Sequence, residues 1–277
     1  MRTLPLEDQF EDILAKAMRG LTLGESELAA RTGVPVETVR RLTRGELCDE
    51  AALGRLATAL NLHPRTLLLS ATRSWQPMPV HLPGLHQVNT AYRDMQVNAY
   101  IVHLPGQPEA VCFDTGTDAD ALVEVLRKHS LKLAALFITH THNDHIAALD
   151  RLRSLTGHPP AHARDAEPWP DTQLFSAGQS FTIAGLRIAT RATTGHSRGG
   201  TSYVVEGLDR PLAVVGDALF AGSMGGGMVS YADALRTNRE ELLTLPPETV
   251  ICPGHGPLST IGQERRFNPF FPETKEG

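Results

Sequence analysis

Four short stretches of this chain carry seven side chains of the kinds that hold metal ions. Residues 139–145 read THTHNDH directly after the apolar run LAALFI, so His140, His142, Asp144 and His145 stand within six positions at the end of an expected strand. A strand that runs into a loop delivers its side chains to the rim of a sheet, where α/β proteins usually keep their chemistry. Three later fragments each set one further candidate beside glycine after a β-rich run: TTGHSRGG with His196, VVGDALF with Asp217 and VICPGHGP with His255. Glycine lets the backbone turn sharply, so a short side chain can point into a site. Neutral imidazole and carboxylate oxygen suit zinc and other divalent first-row metals, and seven such ligands suit two ions sharing one carboxylate. Cations in such a site lower the proton affinity of a bound water and polarise a substrate oxygen. Covalent nucleophilic catalysis lacks a candidate: there is no G-x-S-x-G turn, and Cys48, Cys112 and Cys252 have no neighbouring histidine.

The elements that must position these residues fall into two unequal parts. Up to about residue 75 the sequence reads as short helices without a strand pattern. Phe10, Ile13, Leu14, Ala17 and Met18 recur at helical spacing between Pro5, placed in a first turn, and Gly20, placed as a left-handed stop. SELAARTG, VETVRRLTRG and, after an Asp49 cap, EAALGRLATALN follow. SWQPMPVHLPGLHQ, with its three prolines, reads as a linker or edge strand. From Gln96 onward NAYIVHL, AVCF, ALFIT, TSYVV and LAVVG alternate with helical stretches such as DADALVEVLRKH and YADALRTNREELL, an α/β pattern. The expected division is therefore 1–75 and 76–277.

Composition narrows the classes. At 277 residues, with 41% hydrophobic and 21% charged residues, the chain can bury a sizeable core and is not disordered or fibrous. No apolar run reaches membrane-spanning length, the opening residues are acidic where an export signal is basic, and three scattered cysteines form no disulfide framework. A cytoplasmic protein without membrane contact is expected. Its net charge of −5 argues against a nucleic-acid coat.

HTHNDH, GHS, GDALF and PGHGP, in this order, resemble the metallo-β-lactamase superfamily, and the likeness covers about residues 80–270. The tail PGHGPLSTIGQERRFNPFF is similar to the small glyoxalase II-like hydrolases. This resemblance implies a four-layer αββα sandwich with two divalent ions, zinc before iron or manganese, at the rim between two sheets. It places His140, His142 and His196 on the first ion and Asp144, His145 and His255 on the second, with Asp217 bridging. Asp144 would also orient the attacking water, Asp217 and Asp144 being the catalytic carboxylates. Asp114, in FDTG, would orient a ligand histidine. With no lysine or tyrosine standing out as a leaving-group acid, a thioester or other activated acyl compound is the expected small-molecule substrate. Arg198, two positions from His196, could meet an anionic group or sit in a surface ion pair. AGSMGGGMVS, after the GDALF element, has no charge with which to grip a peptide carboxylate. Two other readings use the same features: a one-iron, oxygen-dependent enzyme acting on a persulfide, and a transcriptional regulator whose hydrolase-like half senses a ligand.

SELAARTGVPVETVRRLTRG resembles the helix-turn-helix of lambda-repressor-like regulators, a likeness that extends over residues 20–69. In such folds the second helix enters the major groove, which would bring Glu37, Arg40, Arg41 and Arg44 to DNA. Against this, residues 1–75 hold ten Lys plus Arg and ten Asp plus Glu, and a neutral domain gains little from phosphate contacts. A dimerisation or interaction module, with the chain as a homodimer, is the competing expectation.

Overall fold

In the computed structural model, which describes residues 4–274, the helical signals place five short helices at the start: α1 (Phe10–Gly20), α2 (Glu25–Thr32), α3 (Val36–Thr43), α4 (Glu50–Ala59) and α5 (Pro64–Ala71). Three of the ends have a plain local cause. Gly33 stops α2 with a left-handed φ of 65°, Asp49 caps α4 by accepting from Ala52 N at 2.9 Å, and Pro64 takes the first turn of α5. Pro35 precedes α3 without a side-chain cap.

Two six-stranded sheets follow. The first contains β1 (Leu85–Tyr92), β2 (Met95–His103), β3 (Glu109–Phe113), β4 (Lys132–Phe137), β5 (Ala161–Arg164) and β6 (Gln173–Phe175) in that order, antiparallel up to β3 and parallel beyond it. The helices α6 (Ala119–Lys128), α7 (Asn143–Ile146) and α8 (Leu149–Leu155) lie between its strands in sequence. The second sheet runs β12 (Ser259–Thr260), β11 (Val250–Pro253), β10 (Leu212–Gly216), β9 (Thr201–Glu206), β8 (Leu186–Ala192) and β7 (Ser180–Ile183), with only β10 and β11 parallel. Helices α9 (Tyr231–Thr237) and α10 (Ile261–Phe267) belong to this half.

The alternation of side chains along a strand sorts the apolar residues into layers. Tyr100, Val102, Phe113, Tyr203, Val205 and Val214 fill the space between the sheets. Their neighbours Ile101 and Cys112 face Leu122 of α6 and Leu149 and Leu152 of α8. Val204, Ala213 and Val215 face the opposite way, toward Ala234 and Leu242, and these join one continuous buried cluster with Phe10, Leu14, Leu28, Leu53 and Leu67 of the five-helix unit. The layers are thus helix, sheet, sheet, helix, and the amino-terminal helices extend the fourth.

Strand β1 begins inside the proline-rich stretch read as a linker or edge strand, and it lies at the edge of its sheet, as the second alternative has it. Two sequence expectations shift. Pro5 lies outside α1, in a segment against Gly256, because the helix begins at Phe10. Gly20 is not left-handed; Thr22 takes that role with φ 55°. A Cβ on Gly20 would stand 2.2 Å from the Tyr231 ring, so this glycine lets α1 approach α9. Gly20→Ala should therefore destabilise the protein, although alanine favours helices by about 1 kcal/mol. A denaturant midpoint that rises on this substitution would contradict the close approach.

No helix among the described residues is long and apolar enough to cross a membrane.

Candidate metal centre

The seven candidate ligands converge at the rim between the sheets, each delivered by the end of a strand. His140, His142, Asp144 and His145 follow β4, His196 follows β8, Asp217 follows β10 and His255 follows β11. Three groups have ligand atoms close enough to hold an ion: His140, His142 and His196; His140, His145 and Asp217; and Asp144, His145 and His255. Asp217 stands centrally, with Oδ1 3.3 Å from His145 Nε2 and Oδ2 3.4 Å from His196 Nε2 and 3.5 Å from His255 Nε2. Asp144 Oδ2 lies 3.2 Å from His255 Nε2.

Outer partners turn the rings. His145 Nδ1 lies 2.8 Å from Asp114 Oδ2, His255 Nδ1 2.6 Å from Gln96 O, His196 Nδ1 3.0 Å from Gly226 O and His140 Nδ1 3.0 Å from Thr139 Oγ1. Asp114 also accepts from Thr139 N and Thr139 Oγ1, each at 2.8 Å. The Thr139 hydroxyl gives its hydrogen to Asp114, so its lone pair accepts from His140 Nδ1–H. Four histidines therefore donate Nδ1–H outward and direct Nε2 inward, the nitrogen that binds a metal once any proton on it has left. His142 instead turns Nδ1 inward, 3.0 Å from His140 Nε2 and 3.1 Å from His196 Nε2.

This centre fits divalent cations. His145 Nε2 and Asp217 Oδ1 are buried 3.3 Å apart and make no well-aligned hydrogen bond, a need that coordination to a metal ion would meet. Gly254 keeps the space free, because a Cβ there would lie 2.1 Å from Asp217 Oδ1 and 2.6 Å from His145 Cε1.

Charge in the metal-free centre follows the same logic. Burial opposes charge on His145 and His255, but Asp217 outweighs it, with Asp114 helping at His145 and Asp144 at His255, and raises the two imidazoles to about 10 and about 11. Burial would raise Asp217, yet His255 and His145 hold it well below the carboxylate range. Protons on the two histidines thus occupy the electrostatic place of cations. Metal loading at pH 8 should release about two protons per chain, measured by titration calorimetry in buffers of different ionisation enthalpy. Both values are raised, so the contribution of these histidines to metal-free stability is full below about pH 6.5 and lost as pH rises through 10 to 11. Proton-neutral loading at pH 8 would contradict this arrangement.

Glu167 is a supporting residue the sequence does not advertise. Its Oε1 accepts from Thr141 N and Thr141 Oγ1, each at 2.7 Å, and its Oε2 accepts from Gly199 N at 2.6 Å. One carboxylate thereby joins the loop of His140 and His142 to the loop of His196. Burial raises it, but these donors outweigh burial and hold it lowered. Glu167→Ala should weaken metal affinity by about 10- to 100-fold, with Glu167→Gln less affected, in a competition titration with a chelator. Arg198, beside this loop, is exposed and forms no ion pair among the described residues.

Comparison with known proteins agrees with this geometry. Residues 92–255 match the family model described as the metallo-beta-lactamase superfamily. A probable metallo-hydrolase of Streptococcus pyogenes is 31% identical over 196 residues, covering 61% of this chain and 84% of its own. A hydroxyacylglutathione hydrolase of Cereibacter sphaeroides is 31% identical over 159 residues, 57% of this chain and 61% of its own. The solved structure of the B3 metallo-beta-lactamase BLEG-1 is 31% identical with a TM-score of 0.58, over 67% of this chain and 98% of that one. Ligand set, fold and sequence match together place the chain in the metallo-beta-lactamase superfamily, as a metal-dependent hydrolase.

Proposed function

We propose that the protein is a binuclear hydrolase of thioesters or related activated acyl compounds. The observation that carries this reading is the meeting of the candidate ligand groups on Asp217. His140, His142 and His196 would hold one divalent ion and Asp144, His145 and His255 the other, most readily zinc, with iron or manganese also suited to these ligands. Bound cations would lower the pKa of a water and polarise the acyl carbonyl.

The chain's own groups then favour a leaving group that needs no proton. The Tyr100 hydroxyl donates to Pro253 O and the Tyr203 hydroxyl to Ile138 O, while Lys16 is held by Asp8 and Met224 O. No phenol or ammonium among these is free to protonate an amide nitrogen. In a thioester, water oxygen bonds to the acyl carbon, the C–S bond breaks with its electron pair on sulfur, and a carboxylate and a thiolate leave while the water's two protons pass to solvent. Asp144 Oδ2, beside His255, would accept the hydrogen bond that orients the attacking water. Met228 and Val229 are exposed in the uncharged loop that supplies Gly226 O to His196, which suits an apolar acyl group. A panel of thioesters, lactones and phosphodiesters, run with metal-loaded protein and Asp217→Ala, tests this. Turnover of phosphodiesters alone, or turnover of a persulfide that requires oxygen and iron, would overturn it.

For the five-helix unit, DNA contact through α3 is a second reading, supported by exposed Arg41 and Arg44. Arg40 contributes less, because its guanidinium pairs with Glu37 at 2.7 Å and Glu25 at 3.3 Å. Retention on duplex DNA at low salt that falls as salt rises supports it, and its absence removes it.

A further inference from the structure

A cavity of about 630 Å³ lies beside His255, and half of its wall comes from the amino-terminal segment Leu4–Glu7. The other half is Asn89 and Asp94–Gln96 of the β1–β2 hairpin with Gly256. The position is close to the centre: Gln96 O takes the His255 Nδ1 hydrogen, and Gly256 follows His255 in the chain. A Cβ on Gly256 would sit 3.2 Å from Glu7 N, so the segment lies directly on the His255 loop. It is anchored there by its neighbour Asp8, which is buried and bonded to Lys16 and to the Ser223 hydroxyl.

The charges of this cavity are one-sided. Glu7 and Asp94 are its only ionisable residues, and no lysine or arginine lines it among the described residues. Glu7 is half-buried, and its carboxylate has no hydrogen bond or ion pair among the described residues; burial raises it, and the through-space fields of His255 and Lys16 oppose that without prevailing. A half-buried carboxylate without a direct partner gains from a ligand that supplies one. Leu4, Leu6 and Met95 give the rest of the space an apolar lining of the kind that holds small-molecule arms.

We propose that the segment Leu4–Glu7 of the appended helical unit is one wall of the substrate cleft, and that Glu7 with Asp94 selects substrates whose arm in this cavity is neutral or cationic over anionic ones. The inference rests on the hydrolase reading and narrows its substrate class. It makes thioesters of thiols bearing carboxylates or phosphates poor substrates, and thioesters of uncharged or ammonium-bearing thiols good ones. The helical unit then acts in substrate choice through its leading segment, independently of any DNA contact by α3.

The experiment compares butyryl thioesters of thiocholine, N-acetylcysteamine and 3-mercaptopropionate, together with N-acetylcysteamine thioesters of a cationic and an anionic acyl chain. Metal-loaded wild type, Glu7→Gln, Glu7→Lys and Asp94→Lys are assayed at pH 8. In whichever series reaches the cavity, kcat/KM should favour the cationic over the anionic member by roughly tenfold, falling with added salt. Glu7→Gln should flatten that ratio, and Glu7→Lys or Asp94→Lys should reverse it, with metal content unchanged. Asp94 lies on an exposed hairpin turn, so its variant tests the charge even where Glu7→Lys folds poorly. Calorimetric binding of the three free thiols is measured in parallel. If no thioester turns over but thiocholine binds more tightly than 3-mercaptopropionate in a manner that Asp94→Lys reverses, the thioester reading fails and the cavity assignment stands. Ratios and affinities that ignore all three substitutions overturn the assignment.

Discussion

Asp217→Ala should leave a folded protein that cannot load two metal ions, with turnover lower by on the order of a thousandfold or more. The reason is geometric. Its carboxylate stands 3.4 Å from His196, a candidate ligand of the first ion, and 3.3 and 3.5 Å from His145 and His255, candidate ligands of the second, so its removal would take a ligand from both ions at once. His255→Ala removes a ligand from one side only. His140, His142 and His196 remain, and Asp217 still faces them, so about one ion per chain and a slow residual turnover should persist. Metal analysis of the two purified variants by mass spectrometry checks the contrast. Equal metal loss would mean that Asp217 does not bridge.

Removal of residues 1–75 should cost the hydrolase its stability, contrary to what a two-part sequence suggests. The five helices and the outer face of the second sheet share one buried cluster, which includes Leu14 and Leu53 on one side and Val204, Ala213 and Val215 on the other. Polar ties cross the same boundary: Lys16 donates to Met224 O at 2.9 Å, His63 N to Pro269 O at 2.9 Å, and Trp75 stacks on Phe267 with centroids 5.1 Å apart. Each apolar side chain returned to water costs about 1.5 to 3 kcal/mol, so a handful consumes the roughly 5 to 15 kcal/mol that holds a domain together. Met224 lies in the loop that follows Asp217, so the loss should reach the centre as well. The truncated chain is expected to aggregate or melt at least 10 °C lower, a shift of the size a few kcal/mol produces. A soluble truncated chain with unchanged metal content and kcat would show that the two parts stand alone.

The candidate metal ligands were legible as a cluster in the sequence because each occupies a loop directly after an apolar strand, where residue type is set by chemistry rather than by packing. Asp114 was legible for a related reason. It follows β3 in the left-handed conformation, φ 53°, that an aspartate tolerates, and from there it reaches His145 and Thr139. Glu167 carried no such signal. Its function depends on Thr141 and Gly199, 26 and 32 residues away, coming together only in the folded chain. The strands β5 to β7 escaped for a similar reason, being three or four residues long and paired mainly with neighbours already in place. The five helices could be read from their caps and spacing, but not what they cover. Gly20 looks like a helix stop in sequence and is a contact point for Tyr231 in the fold. The lodging of Leu4–Glu7 beside His255 has no local pattern at all, since it follows from how α1 docks on the second sheet.

The most direct test of a two-ion hydrolase is a titration of metal-free protein with zinc, followed at every step by turnover of a butyryl thioester. Two equivalents should bind per chain, with activity rising steeply as the second site fills and with iron or manganese substituting in the same stoichiometry. Saturation and full activity at one equivalent, or folded protein that takes up no metal, would contradict the account.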